Sequence, residues 1–109
     1  MMDHLKDNES FLKALTTSHG KQAKALIKTA KSKQLDAVCE IILNVIREVI
    51  VIPKKLFKKA KKYKNIIRRL AEKTLSRKLR RKWMTKYIPI IKSILASALP
   101  LISVVLSAI

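Results

Sequence analysis

The sequence predicts an all-α fold: a small bundle of short helices, a long basic amphipathic helix and an apolar C-terminal helix. Three observations predict it. One Gly and three Pro in 109 residues are too few for a turn-rich β protein. Residues of high helix propensity dominate the remainder. Apolar residues recur at spacings of three and four along most of the chain, which is the period of one helix face. The length suits one small domain.

A first helix is expected to run from a cap at Asp7 or Asn8 to Thr17, with Phe11, Leu12 and Leu15 inside. Ser18-His19-Gly20 reads as a break, with Gly20 taking a left-handed conformation at a helix C-terminus. A second helix over about 21–32 carries Ala23, Leu26, Ile27 and Ala30 on one face and Lys21, Lys24, Lys28 and Lys31 on the other. A third, from about Gln34 to Ile50, places Leu35, Val38, Ile42, Val45 and Val49 in one stripe, widened by Cys39, Ile41, Ile46 and Ile50. It is the most apolar element outside the tail and is predicted to be the centre of the core. Pro53 ends it and suits the first turn of the next helix.

That next element is predicted to be one helix of about five turns. Leu56, Ala60, Tyr63, Ile67 and Leu70 make its apolar stripe, and Phe57, Ile66 and Ala71 widen it. Thr74-Leu75-Ser76 separates it from the dense run Arg77–Lys82, which looks unable to pack without a partner.

Charge divides the chain into three parts. Residues 1–52, a small helical region, carry eight basic and six acidic side chains. Residues 53–87 are a basic helical segment. Residues 88–109 are an apolar tail, uncharged from Ser93 onward. The formal net charge of +18 points to a polyanionic partner, nucleic acid or an anionic membrane surface.

The residues expected to meet phosphate are Lys54, Lys55, Lys58, Lys59, Lys61, Lys62, Lys64, Arg68, Arg69, Lys73, Arg77, Lys78, Arg80, Arg81 and Lys82, fifteen cations against the single acid Glu72. Such density repels itself along a helix, and a polyanion relieves the repulsion while releasing counterions. No zinc finger, heptad zipper or aromatic RNA-binding pattern is present, so binding is expected to ignore base sequence. The competing uses are an anionic membrane surface, a nuclear localisation signal or a solvated face. An ordinary solvated face mixes Glu with Lys, and this one does not.

Three roles are open for the tail: membrane insertion, contact with a capsid or other protein or self-association, and packing on the chain's own bundle. Residues expected to serve the first two are Trp83, Tyr87, Ile90, Ile91, Ile94, Leu95, Leu99, Leu101, Ile102, Val105 and Leu106. Insertion would need Lys92 to snorkel and Trp83 and Tyr87 to lie at the interface. Pro89 and Pro100 are expected to kink the tail.

No enzyme, cofactor or metal is expected. The six N-terminal acids are scattered, and Cys39, whose one conceivable base is His19, lies on the apolar stripe of its helix and reads as a buried structural cysteine. His4 and His19, with one cysteine, make no zinc ligand set. The polar opening MMDHLKDNES lacks the apolar run of a secretory signal.

KALTTSHGKQAKALIKTA, LDAVCEIILNVI, KKLFKKAKKYKNIIRRLAEKTLSRKLRRK and YIPIIKSILASALPLIS follow one another in an order that resembles the precursor of adenovirus core protein X (mu). It more closely resembles the small basic proteins of Polinton-like and adintovirus elements. The resemblance covers roughly residues 12–103 and rests on composition and order more than on fixed residues. It implies a virion core protein that condenses double-stranded DNA, located in the virion and the host nucleus; outside that family, an intracellular or membrane-associated place is expected. Those relatives commonly carry a Gly-Gly between basic stretch and tail, cleaved by a protease in adenovirus, where this chain has Trp83-Met84-Thr85-Lys86-Tyr87.

Overall fold

Helices are the only regular elements among the described residues of the computed structural model: α1 (Met2–Asp7), α2 (Glu9–Thr17), α3 (Gly20–Thr29), α4 (Ser32–Ile46), α5 (Lys54–Lys61), α6 (Lys64–Leu70), α7 (Arg77–Lys86) and α8 (Ile88–Ser107). The structure describes residues 2–72 and 74–107, and the side chains of 5–72 and 74–104. The all-α prediction holds. The Cα radius of gyration, 12.7 Å, sits near the ~13 Å expected when a chain of this length folds as one body, so neither the basic segment nor the tail projects from it.

The core is built where the stripe of α4 meets α8. Leu35, Ala37, Val38, Cys39, Ile41, Ile42 and Val45 of α4 are buried, as predicted for the central helix. Against them lie Ile91, Ile94, Leu95, Ala98, Leu99 and Ile102 of α8, together with Leu12 and Leu15 of α2. Of the tail's three open roles, the structure displays packing on the chain's own bundle. A helix of twenty residues is about 30 Å long, and the molecule measures 34 × 29 × 28 Å, so α8 spans it. Pro89 lies in the first turn of α8, where no backbone donor is missed, and only Pro100 interrupts the helix interior.

Helix ends explain where the sequence reading departs from the fold. Gly20 opens α3, and no glycine has a positive φ. The turn before α3 is held by Gln22, whose side chain accepts from the His19 backbone N–H (3.4 Å). Gln34 does the same for Lys31 at the start of α4 (2.8 Å). Both are the returning half of a capping box.

The left-handed residue appears elsewhere. Glu48 has φ 62° and closes α4. The Val49 N–H bonds to the Asn44 carbonyl (2.9 Å) and the Glu48 N–H to that of Val45 (3.1 Å), the double bond of a Schellman stop. The helix therefore ends at Ile46 rather than Ile50, and Val49, expected in the buried stripe, is 64% exposed.

The basic helix is two helices rather than one. At Lys62 and Tyr63 the backbone tightens to bonds three residues back, onto Lys59 and Ala60 (3.2 and 3.0 Å). The apolar stripe still works as one: Ala60, Ile67 and Leu70 are buried, and Leu56, Phe57, Tyr63 and Ile66 pack against the core in part. The break sets Tyr63 beside Tyr87, ring centroids 5.4 Å apart.

Helix α7 packs without a partner chain. Ser76 caps it, accepting from the Leu79 N–H (3.2 Å). Met84 is wholly buried. Arg80 donates to Asp36 on α4 (2.6 Å) and to the Glu72 carbonyl beyond α6 (2.9 Å). Arg81 donates to the Ala30 carbonyl at the end of α3, and Lys92 to that of Ser18 at the end of α2. Cations at helix C-termini meet free carbonyls and the negative end of the dipole. Lys92 therefore caps a helix instead of snorkelling.

Candidate nucleic-acid interface

The cations selected from sequence divide into two groups by burial. Lys54, Lys55, Lys58, Lys59, Lys61, Lys62, Lys64, Arg68, Arg69, Arg77, Lys78 and Lys82 are exposed. They lie on the outer faces of α5, α6 and α7, as the position of each apolar stripe dictates. Arg80 is only 8% exposed, and its guanidinium is paired with Asp36, so it pins α7 to α4 and is not presented to a partner as the other cations are. Arg81 is half-buried on α3. Lys73 lies outside the described residues.

These exposed charges have almost no internal compensation. The ion pairs among the described residues are Lys13–Glu9 (3.1 Å) and Arg80–Asp36 (2.6 Å), and neither involves α5 or α6. What holds some cations in place is aromatic. Lys61 lies 5.5 Å from the Phe57 ring, Arg69 5.3 Å from Trp83 and Lys86 5.5 Å from Tyr87. Such contacts orient a cation but leave its charge uncancelled. Lys21, Lys24 and Lys28 are also exposed, on α3, which packs beside α7.

Between α5, the α5–α6 junction, the end of α7 and the first turns of α8 lies a groove of about 450 Å³. Lys59, Lys62 and Lys86 rim it, Tyr63 and Tyr87 form a wall, and no carboxylate lines it. The sequence reading places Tyr63 in an apolar stripe and Tyr87 at an interface, far apart along the chain. Packing of α5 on α8, beyond the 86° bend between α7 and α8, brings them together, and no local signal encodes that.

The expected membrane or self-association residues are mostly inside. Ile91, Ile94, Leu95, Leu99 and Ile102 are buried, and Trp83, Tyr87 and Ile90 half-buried against the core, so a membrane or a second copy would reach them only after α8 moved. Leu101, 50% exposed, remains outside. The side chains of Val105 and Leu106 lie outside those described. No single helix among the described residues is long and apolar enough to cross a membrane, although α7 and α8 together, bent as they are, match a span in length and composition.

Cys39 is buried, and its thiol faces the Leu70 carbonyl (3.3 Å). Burial pushes its pKa up to about 12, with Arg80 opposing and Asp36 reinforcing, so it is a packing residue with little thiolate at neutral pH. The described residues contain no cluster of ligands able to hold a metal ion.

The chain matches no protein-family model and no curated protein, and its fold matches no solved structure.

Proposed function

We propose that this protein binds the phosphate backbone of double-stranded DNA without regard to base sequence, and neutralises and condenses it as a core protein of a virion or virus-like element. The supporting observation is the uncompensated cationic surface: twelve exposed Lys and Arg of the Lys54–Lys82 segment, carried on a bundle that already satisfies its own core. The order of segments, which resembles that of the Polinton and adenovirus core proteins, favours DNA and packaging over other polyanions.

The competing use, insertion of the tail into a membrane, carries a cost that phosphate binding does not. Withdrawing α8 would expose the buried faces of α2 and α4 that it covers, at roughly 25 cal/mol per Å² of apolar surface.

Titrating unrelated duplexes of equal length across a salt series tests the proposal. If about half of the exposed cations reach phosphate, log K falls against log salt with a slope of about −5. The duplexes should bind alike. Strong preference for one sequence, or a flat salt response, overturns the reading.

A further inference from the structure

We propose that the groove walled by Tyr63 and Tyr87 takes one unpaired nucleotide of a nucleic-acid strand, its base against the two rings and its flanking phosphates on Lys59, Lys62 and Lys86. The inference rests on the phosphate-binding reading and adds strand state to it: the protein reads its partner's backbone everywhere, and holds a base only where the strand is unpaired.

Two properties of the groove select this occupant. Its rim is cationic from three directions, α5, the α5–α6 junction and the end of α7, with no carboxylate to compete. Its wall is aromatic and apolar, with Leu56 and Ile90 beside the tyrosines. A free phosphate uses the first property and leaves the second wet. A duplex does the same, because its bases face one another. An unpaired nucleotide uses both.

The geometry suits a flat ring. Tyr63 and Tyr87 are tilted by 59°, so a base stacked on one ring meets the other edge-on, both favourable aromatic contacts. Both rings are half-buried and backed by the core, so they form a rigid platform. Lys86, held 5.5 Å from the Tyr87 ring, keeps its charge beside that platform. A lipid headgroup offers phosphate without a ring to stack, and its acyl chains would meet the lysine rim.

The test uses the full chain and three probes of equal length: an oligothymidylate strand, the same strand with an abasic site in place of every base, and a duplex. The two single strands carry equal charge, so any difference between them belongs to the bases. Oligothymidylate should bind about tenfold tighter than the abasic strand. Tyr63→Leu with Tyr87→Leu keeps apolar packing and should erase that difference while leaving duplex affinity unchanged.

Ser93→Phe offers a route that spares both tyrosines. Ser93 is exposed at the groove's edge, and a larger side chain there should fill the groove with the same result. Equal binding of the abasic and thymidylate strands, with the duplex still bound in a salt-dependent way, overturns the groove proposal alone. Failure of all three probes to bind overturns the phosphate reading beneath it. Binding of the parent protein to phosphatidylserine vesicles that both groove variants abolish would assign the groove to lipid and overturn the proposal.

Discussion

No two stretches of this chain differ more than the basic segment and the tail. Lys54–Lys82 carries fifteen cations and one acid, and Ser93–Ile109 carries no charge. Read along the sequence they look like separate modules, one for a polyanion and one for an apolar phase. In the folded chain they are neighbours: α5 and α7 both pack on α8, and the tail supplies part of the uncharged surface on which the stripes of the basic helices lie, with α4 supplying the rest. A helix with one apolar face and a crowded cationic back brings its flanking cations near those of a like neighbour when the two pack on each other, as α6 and α7 do in part. An uncharged helix solves that problem. Net charge therefore describes the surface of this protein and says little about how its segments are divided.

The largest effect should come from removing one side of that partnership. Deleting residues 93–109 removes Ile94, Leu95, Ala98, Leu99 and Ile102 from the core. Each large buried side chain lost costs about 2–5 kcal/mol, against a total stability of about 5–15 kcal/mol. The variant should lose its cooperative thermal transition in circular dichroism. Its duplex affinity should fall much less, since every basic residue of Lys54–Lys82 remains. A truncated chain that melts like the parent would restore the picture of separate modules.

Within the basic segment itself, two kinds of cation should respond differently. Lys58→Gln removes an exposed charge and should reduce the salt slope of DNA binding by about 0.9 if it reaches a phosphate, with little change in stability. Arg80→Met removes a charge that is already paired with Asp36. It should leave the slope alone and lower stability by about 1–2 kcal/mol, because the Asp36 carboxylate and the Glu72 carbonyl lose a donor. Denaturant melts and salt titrations of the two variants separate the roles; equal behaviour would mean that burial does not sort these cations.

The inner faces were legible in the sequence, and the ends and crossings were not. The spacing of Leu35, Val38, Ile42 and Val45 revealed the central helix because burial on one face leaves a period. The stripe Leu56–Leu70 was legible for the same reason, although its break at Lys62–Tyr63 was not, since a tightened turn consumes no special residue. Exposure of the Lys54–Lys62 cations followed from that stripe. The internal use of Arg80, Arg81 and Lys92 did not, because each reaches a carbonyl or carboxylate at least eight residues away. The tail's destination was one of three readings that composition alone leaves open: an uncharged apolar stretch suits a bilayer, a partner or its own core.

A smaller effect sharpens the account of the α4 terminus. Glu48 occupies a left-handed conformation that costs an ordinary side chain about 1–2 kcal/mol and glycine almost nothing. Part of that gain is offset by the greater freedom of glycine in the unfolded chain. Glu48→Gly should raise stability by about 0.5–1 kcal/mol, read as a higher denaturant midpoint with unchanged slope. A loss of stability would mean that the carboxylate contributes more than the backbone strain it imposes.

A pH-dependent effect belongs to the thiol at the meeting of both regions. Cys39 sits on α4 against the Leu70 carbonyl of the basic segment, and Arg80 and Asp36 both act on it. Burial raises its folded pKa from 9.0 to about 12, so between those values the unfolded chain has released a proton that the folded chain still holds. Stability from this group is therefore fully present below pH 9 and is lost as pH rises toward 12, by up to about 1.4 kcal/mol per pH unit. Lysines titrate in the same range, so the parent protein alone does not isolate the thiol. Cys39→Ala does: it should be less stable than the parent at pH 7, through lost packing, and that difference should shrink as pH is raised above 9. A difference that stays constant to pH 11 would mean that the thiol ionises as readily inside the bundle as outside, and that the contact between α4 and the end of α6 is open to water.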